Sequence, residues 1–275
     1  MSRITCVVDN AALAGTNLHA EHGLSFWIDT PQGSVIFDTG QSGVVFARNL
    51  QSLNLDVNDA DALVLSHAHY DHTGGLLVAL SKNGALKIFG NGDLLRPRYA
   101  YREGRYHPIG LDSVQVARIR NAEHHLSDDP QQVLPGLWTT GAIFPRLEKE
   151  GRSAHHFVQG DDGWQPDPYR DDLSLVLETS EGLVVICGCC HAGLLNTLAH
   201  VKRTFDGPVI AVLGGTHLRT ADDSELAHIV EQLERRYPGA YFYLNHCTGE
   251  HARKHLERAF GDRVQSFPAG VVLTI

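Results

Sequence analysis

The sequence predicts an α/β (α+β) protein built as a four-layer αββα sandwich, two similar halves each made of a sheet with helices outside it. Three observations lead there. Short apolar runs alternate with helical patterns near both ends of the chain, with a different stretch between them. Turn signals, Pro31-Gln-Gly33 and Ser180-Glu-Gly182, pair apolar runs into a hairpin in each half. The 275 residues are 43% apolar and only 20% charged, enough for a sizeable core and unlike a disordered or fibrous chain.

In order, Met1–Asn10 reads as a first strand, and Phe26–Asp29 with Ser34–Phe37 as a hairpin. Val44–Leu53 has the pattern of a short helix. Ala62–Leu65 is a buried strand running into Ser66-His67, and Leu76–Ser81 a helix after two glycines. Leu173–Glu178 and Leu183–Cys187 form the second hairpin, and Leu194–Lys202 the next helix. Val209–Leu213 is a buried strand, and Ser224–Arg236 an amphipathic helix capped by Asp222 or Asp223. Tyr241–Leu244 is a strand, His251–Phe260 a helix, and Val271–Ile275 the closing strand. The middle, about residues 90–165, reads as irregular. It carries Arg96, Arg98, Arg102, Arg105, Arg118 and Arg120 with Tyr99, Tyr101 and Tyr106. It is either a lid-like insertion over a site or a solvated excursion. Residues 1–275 are thus expected to form a single domain with an insertion.

Composition narrows the partners. Lys plus Arg is 23 against 32 Asp plus Glu, a formal charge of −9, which argues against nucleic acid and anionic membranes as partners. Residues 182–201 lack formal charge and are long enough to span a bilayer, but His191, Asn196 and His200 interrupt them, so a strand, tight turn and helix fit better. No basic segment leads into a long apolar one at the N-terminus, so export is not expected. The five cysteines, Cys6, Cys187, Cys189, Cys190 and Cys247, are then expected to be reduced thiols in the cytoplasm.

Histidine is over-represented, with 17 residues against one Met. Ser66-His67-Ala-His69-Tyr-Asp71-His72-Thr-Gly74-Gly75 places four metal-type ligands within six residues, at the end of an apolar strand. In extended chain, residues two apart point the same way, so His67 and His69 can reach one ion. Asp71 and His72 follow where the chain turns into a helix and project elsewhere, which suits a second ion about 3.5–4 Å from the first. The remaining ligands are expected at other strand ends, where His191, His217 and His246 each follow a buried run beside small residues. Each is a ligand, or else grips substrate or orients a ligand.

H-x-H-x-D-H after a strand resembles the signature of the metallo-β-lactamase-fold superfamily. The likeness extends over about residues 1–85 and 170–275. Glu21-His-Gly-Leu-Ser25, Phe37-Asp-Thr-Gly40, Gly188-Cys-Cys-His-Ala-Gly193, Gly214-Gly-Thr-His-Leu218 and His246-Cys-Thr-Gly249 are similar to a subfamily that includes archaeal dihydropterin–ribofuranosylaminobenzene-phosphate synthases. The resemblance implies the αββα fold with metals at the edge between the sheets. Two features depart from the family pattern. Asp171-Asp172 stand where a third-motif His is usual, and Cys189 or His191 where a bridging Asp is usual. Asp172 is therefore either a ligand or a carboxylate behind one, and Cys189 either bridges or packs.

The expected activity is metal-dependent hydrolysis of a small anionic, phosphorylated or pterin-like substrate by a metal-bound hydroxide. Two Zn²⁺ ions are expected, with iron or manganese as alternatives. His67, His69 and His191 would hold one ion, and Asp71, His72 and His246 the other. Asp71 would also accept a hydrogen bond from the attacking water, and His217 would protonate a leaving group or grip the substrate. The alternatives are a transferase condensing a pterin diphosphate with an arylamine phosphate, an iron oxidoreductase, and a non-catalytic metal-dependent binding protein.

Overall fold

Runs rich in Val, Ile, Leu and Phe become strands buried on both faces, and the polar-faced repeats between them become helices. The computed structural model describes residues 1–275. The chain begins β1 (Arg3–Val8), β2 (Ser25–Thr30), β3 (Gly33–Phe37), α1 (Gly43–Ser52), β4 (Ala62–Val64), α2 (Tyr70–Thr73), α3 (Leu76–Lys82) and β5 (Lys87–Gly90). It continues β6 (Arg98–Arg102), β7 (Arg105–Pro108), α4 (Ser113–Asn121), β8 (His124–Leu126), β9 (Gln132–Leu134), β10 (Leu137–Thr139), β11 (His156–Gly160) and β12 (Gly163–Pro166). It ends β13 (Ser174–Glu178), β14 (Leu183–Cys187), α5 (Leu194–Thr204), β15 (Val209–Gly214), α6 (Asp223–Arg236), β16 (Tyr241–Leu244), α7 (Glu250–Phe260), β17 (Val264–Ser266) and β18 (Val272–Thr274).

Two compact units result. The first comprises Met1–Asp128, Arg152–Asp171 and Pro268–Ile275, the second Asp129–Gly151 and Asp172–Phe267. In the first, a seven-stranded sheet runs β18-β1-β2-β3-β4-β5-β8. Its β18, β1, β2 and β3 pair antiparallel, and β3, β4, β5 and β8 pair parallel. Ile36, Leu63 and Ile88 of the sheet pack with Phe46 and Leu50 of α1, Leu76 and Ala79 of α3, and Ile119 of α4. Each of the buried Ile, Leu and Phe side chains contributes about 1.5–3 kcal/mol.

The second unit repeats the plan. Its sheet runs β17-β16-β15-β14-β13-β10-β9, parallel from β14 to β17 and antiparallel elsewhere. Val185, Val212 and Phe242 pack with Leu198 of α5, Leu226 and Leu233 of α6, and Leu256 of α7. Asp222 is the cap of α6, its carboxylate accepting from Glu225 N at 2.9 Å. Residues 182–201 fold as β14, a turn and α5, and no helix is long and apolar enough to cross a membrane.

The middle of the chain is not irregular. It holds α4, opened by a capping box between Asp112 and Gln115, and a four-stranded antiparallel sheet β12-β11-β6-β7 in the first unit. This small sheet has few aliphatic residues to reveal it. Cross-strand aromatic pairs hold it instead: Tyr106 stacks on Trp164 with centroids 3.7 Å apart, and Tyr99 meets Trp164 edge-on at 4.9 Å. Nor is Arg98 a surface cation. It is 1% exposed and pairs with Asp93, Asp167 and Asp171.

Candidate metal centre

Three strand ends of the first unit set up the His67–His72 segment. β4 runs parallel between β3 and β5, and Asp38, the first residue past β3, lies beside the end of β4. Asp38 is fully buried at φ +59°. Its Oδ1 accepts from Ser66 N at 2.7 Å, and its Oδ2 accepts from Ser66 Oγ at 2.6 Å and faces His72 Nδ1 at 2.6 Å. A carboxylate only accepts, so His72 carries its proton on Nδ1 and its lone pair on Nε2. Ser66 Oγ has given its hydrogen to Asp38, so at 2.9 Å it accepts from His67 Nδ1, which leaves the lone pair of His67 on Nε2 as well. One carboxylate thereby fixes two imidazoles in a metal-binding tautomer.

The rings sit close together. His67 lies 4.6 Å from His69 and 4.2 Å from His72, centroid to centroid. Burial pushes the His69 imidazole well below its ordinary pKa, against the opposing pull of Asp71, so it stays neutral at physiological pH. Asp71 Oδ2 lies 3.0 Å from His22 Nε2 and 3.8 Å from His72 Nε2. Gly74 is needed for close approach: a Cβ there would stand 1.8 Å from the Gln41 carbonyl oxygen.

The second unit brings three neighbouring parallel strands to a common end. After β14 come Cys189, Cys190 and His191; after β15, His217; after β16, His246. His191 Nδ1 donates to the Gly151 carbonyl at 3.0 Å, which again leaves Nε2 with the lone pair. The His191 and His217 rings are 4.3 Å apart. Cys247 Sγ accepts from His217 N at 3.3 Å and donates to the Cys189 carbonyl at 3.5 Å, tying the three loops together. A Cβ at Gly215 would meet Cys247 Sγ and the Gly188 oxygen at 2.6 Å. Asp172 Oδ2 accepts from Ala192 N at 2.8 Å, so it braces the residue after His191. Cys190 hydrogen-bonds to Cys187 and is buried, and both effects raise its thiol pKa well above the ordinary value. All five cysteines are buried.

Of the seven non-glycine residues at positive φ, Asp38, Cys190, His217 and His246 stand at these strand ends. Backbone held in that region collects at functional loops. Within the first unit the structure gathers His67, His69, Asp71 and His72; within the second it gathers Cys189, His191 and His217, with His246 on the adjoining strand end. Sequence reasoning did not mention His156 or Tyr169, quoted His22 and Asp38 only inside family-like stretches without a role, placed Asp171 only as a departure from the family pattern, and read Arg98 as part of the insertion. Neutral imidazole nitrogens, a carboxylate and a thiol are the donor set of zinc and related divalent ions, so the buried His, Asp and Cys side chains fit such an ion.

The family model of the metallo-beta-lactamase superfamily matches residues 20–193. A 7,8-dihydropterin-6-methyl-4-(beta-D-ribofuranosyl)-aminobenzene-5'-phosphate synthase of Methanocaldococcus jannaschii is 27% identical over 266 residues, covering 92% of this chain and 90% of that protein. The crystal structure of a metal-dependent hydrolase of the beta-lactamase superfamily superposes with a TM-score of 0.85 at 29% identity, covering 100% of this chain and 99% of the other. The metallo-beta-lactamase fold protein YhfI from Bacillus subtilis superposes with a TM-score of 0.59 at 13% identity over the whole of both chains, which speaks to fold alone. The family's fold implies divalent metal binding. With its mixed α/β fold and its H-x-H-x-D-H segment at a strand end, this chain belongs to the metallo-beta-lactamase superfamily.

Proposed function

We propose that the protein is a metal-dependent hydrolase of a small anionic substrate, phosphorylated or pterin-like, working as one domain with two Zn²⁺ ions. His67, His69 and His191 hold one ion; Asp71, His72 and His246 hold the other. The observation that carries this is the tautomer lock: His67, His72 and His191 each have Nδ1 engaged and the lone pair on Nε2. Zinc supplies a water acidified to near neutral pKa and screens charge on a substrate oxygen. The chain's own groups do the rest. Asp71, steadied by His22 at 3.0 Å, accepts a hydrogen bond from the attacking water and aims it. His217, half-buried beside His191, hands a proton to the leaving group.

Residues 90–165 serve as a lid-like insertion whose exposed Arg102 and Arg105 attract an anion, a role Arg98 is too deeply paired to share. The net charge of −9 supports a small molecule over nucleic acid as substrate. The odd number of cysteines, all five buried, supports a reducing cytoplasm.

A transferase reading has one specific support, the synthase relative at 27% identity over most of both chains. There the same groups would seat a pterin diphosphate while an arylamine phosphate displaces diphosphate. Elemental analysis and turnover of a phosphoester panel, with His67→Ala alongside, test the proposal. The wild type should carry up to two zinc ions and release product with water alone, and the variant should lose metal and activity together. Full metal occupancy in His67→Ala would refute the ligand assignment, and turnover only when an amine acceptor is added would favour the transferase.

A further inference from the structure

We infer that Asp171, held by Arg98, is a positioning residue for the His67–His69 segment; this rests on the reading of those histidines as ligands. Ala68 lies between them, and its amide donates to Asp171 Oδ2 at 2.8 Å, across 103 residues of sequence. Asp171 Oδ1 pairs with Arg98 Nη2 at 2.8 Å. Neither side chain reaches solvent to any extent, Asp171 being 0% and Arg98 1% exposed.

Arg98 is itself pinned. Its Nη1 donates to the Arg96 carbonyl at 2.8 Å and to the Asp93 carbonyl at 3.2 Å, its Nη2 to Asp93 Oδ2 at 2.9 Å, and its Nε faces Asp167 Oδ2 at 3.3 Å. A carboxylate buried so completely is costly, and an apolar residue would fill the space at less expense. What the carboxylate adds is direction: a charge-assisted acceptor at a fixed point, shorter and stronger than a neutral one.

The other side of His69 is fixed by the same part of the chain. Tyr70 N donates to the Ile109 carbonyl at 2.9 Å, and Ile109 N donates to the Arg98 carbonyl at 2.9 Å. Both amides flanking His69 are therefore fastened to β6 and the segments around it. The His69 ring also lies edge-on to His156 at 5.1 Å and to Tyr169 at 5.7 Å, while the Tyr169 hydroxyl is 2.7 Å from His156 Nδ1. Metal ligands depend on such outer contacts for their aim, and losing one typically weakens metal binding about 10–100-fold.

The test uses the full-length protein, with Zn²⁺ affinity from competition against a chromophoric chelator and the optical spectrum of the Co²⁺-substituted form. Asp171→Ala should raise the zinc Kd at least about tenfold and shift the Co²⁺ bands. Asn49→Ala removes buried hydrogen bonds to Val7 and His19 elsewhere in the same unit, outside the Arg98 network, and should leave the Kd and the bands unchanged. If Asp171→Ala matches wild type in both readouts, or if Asn49→Ala alters them equally, the inference is overturned. Should Asp171→Ala not fold, Asp171→Asn carries the test: its weaker acceptor and its amide facing Arg98 should raise the Kd about threefold or more, and no change overturns the inference. Failure of the wild type to bind zinc would instead strike at the hydrolase reading.

Discussion

Asp38 shows how much a single side chain can settle. It satisfies Ser66 N and Ser66 Oγ, and through direct contact and the serine relay it fixes the tautomers of His72 and His67. Asp38→Asn puts an amide N–H where His72 Nδ1 now donates. The imidazole then does best to accept at Nδ1 and carry its proton on Nε2, which cannot ligate. The expected result is a zinc affinity about 10–100-fold weaker, with about 1–3 kcal/mol lost in stability from the disturbed buried network. Chelator competition and urea unfolding measure the two, and an unchanged affinity would show that Asp38 does not set the tautomer. The histidine motif itself was legible because its four ligands sit within six residues at one strand end. Asp38 and Asp171 were not assignable, because what they do depends on partners 28 to 103 residues away.

At the scale of elements, long aliphatic strands and amphipathic helices were legible to within a residue or two, since burial of Val, Ile and Leu writes a plain period into the sequence. The small sheet was not, because its strands read Arg-Tyr-Ala-Tyr-Arg and Arg-Tyr-His-Pro and owe their cohesion to aromatic pairs across strands. Its anchor is Arg98 at the start of β6. Burial works against the guanidinium's charge, but Asp171, Asp167 and Asp93 outweigh it and raise its pKa. Asp167, facing the same cluster, has its pKa raised chiefly by burial, even with Arg98 beside it. Arg98→Met leaves three carboxylates around an apolar stem, so about 3–5 kcal/mol should be lost at neutral pH. Asp167 sets the sign of the pH effect: with its folded pKa raised above the unfolded value, its contribution to stability is fully present below the unfolded pKa and is lost as pH rises through the folded one. The deficit of Arg98→Met should therefore be largest near pH 7.5 and shrink toward pH 4.5, as read by urea midpoints at the two values. A deficit constant across that range would mean the carboxylates are not the source of the loss.

For the whole molecule, the consequence lies in the linkage between metal and folding. The proposed ligands come from residues 67–72 and from 191 and 246, separated by more than a hundred residues of chain, so the unfolded chain holds no ready-made site. An ion that binds only the folded state stabilises it in proportion to the logarithm of its concentration over Kd, about 2.7 kcal/mol at a hundredfold excess. For a chain of 275 residues that amounts to a rise in Tm of about 5 °C. Thermal unfolding in a chelator and then over a series of free zinc concentrations should give a Tm that climbs with each tenfold step and falls back when the ion is stripped. His246→Ala should flatten that climb, because it removes a ligand near the far end of the chain. A Tm indifferent to zinc over the whole series would mean that residues 67–72, 191 and 246 do not share ions in the folded protein, and the hydrolase reading would lose its foundation.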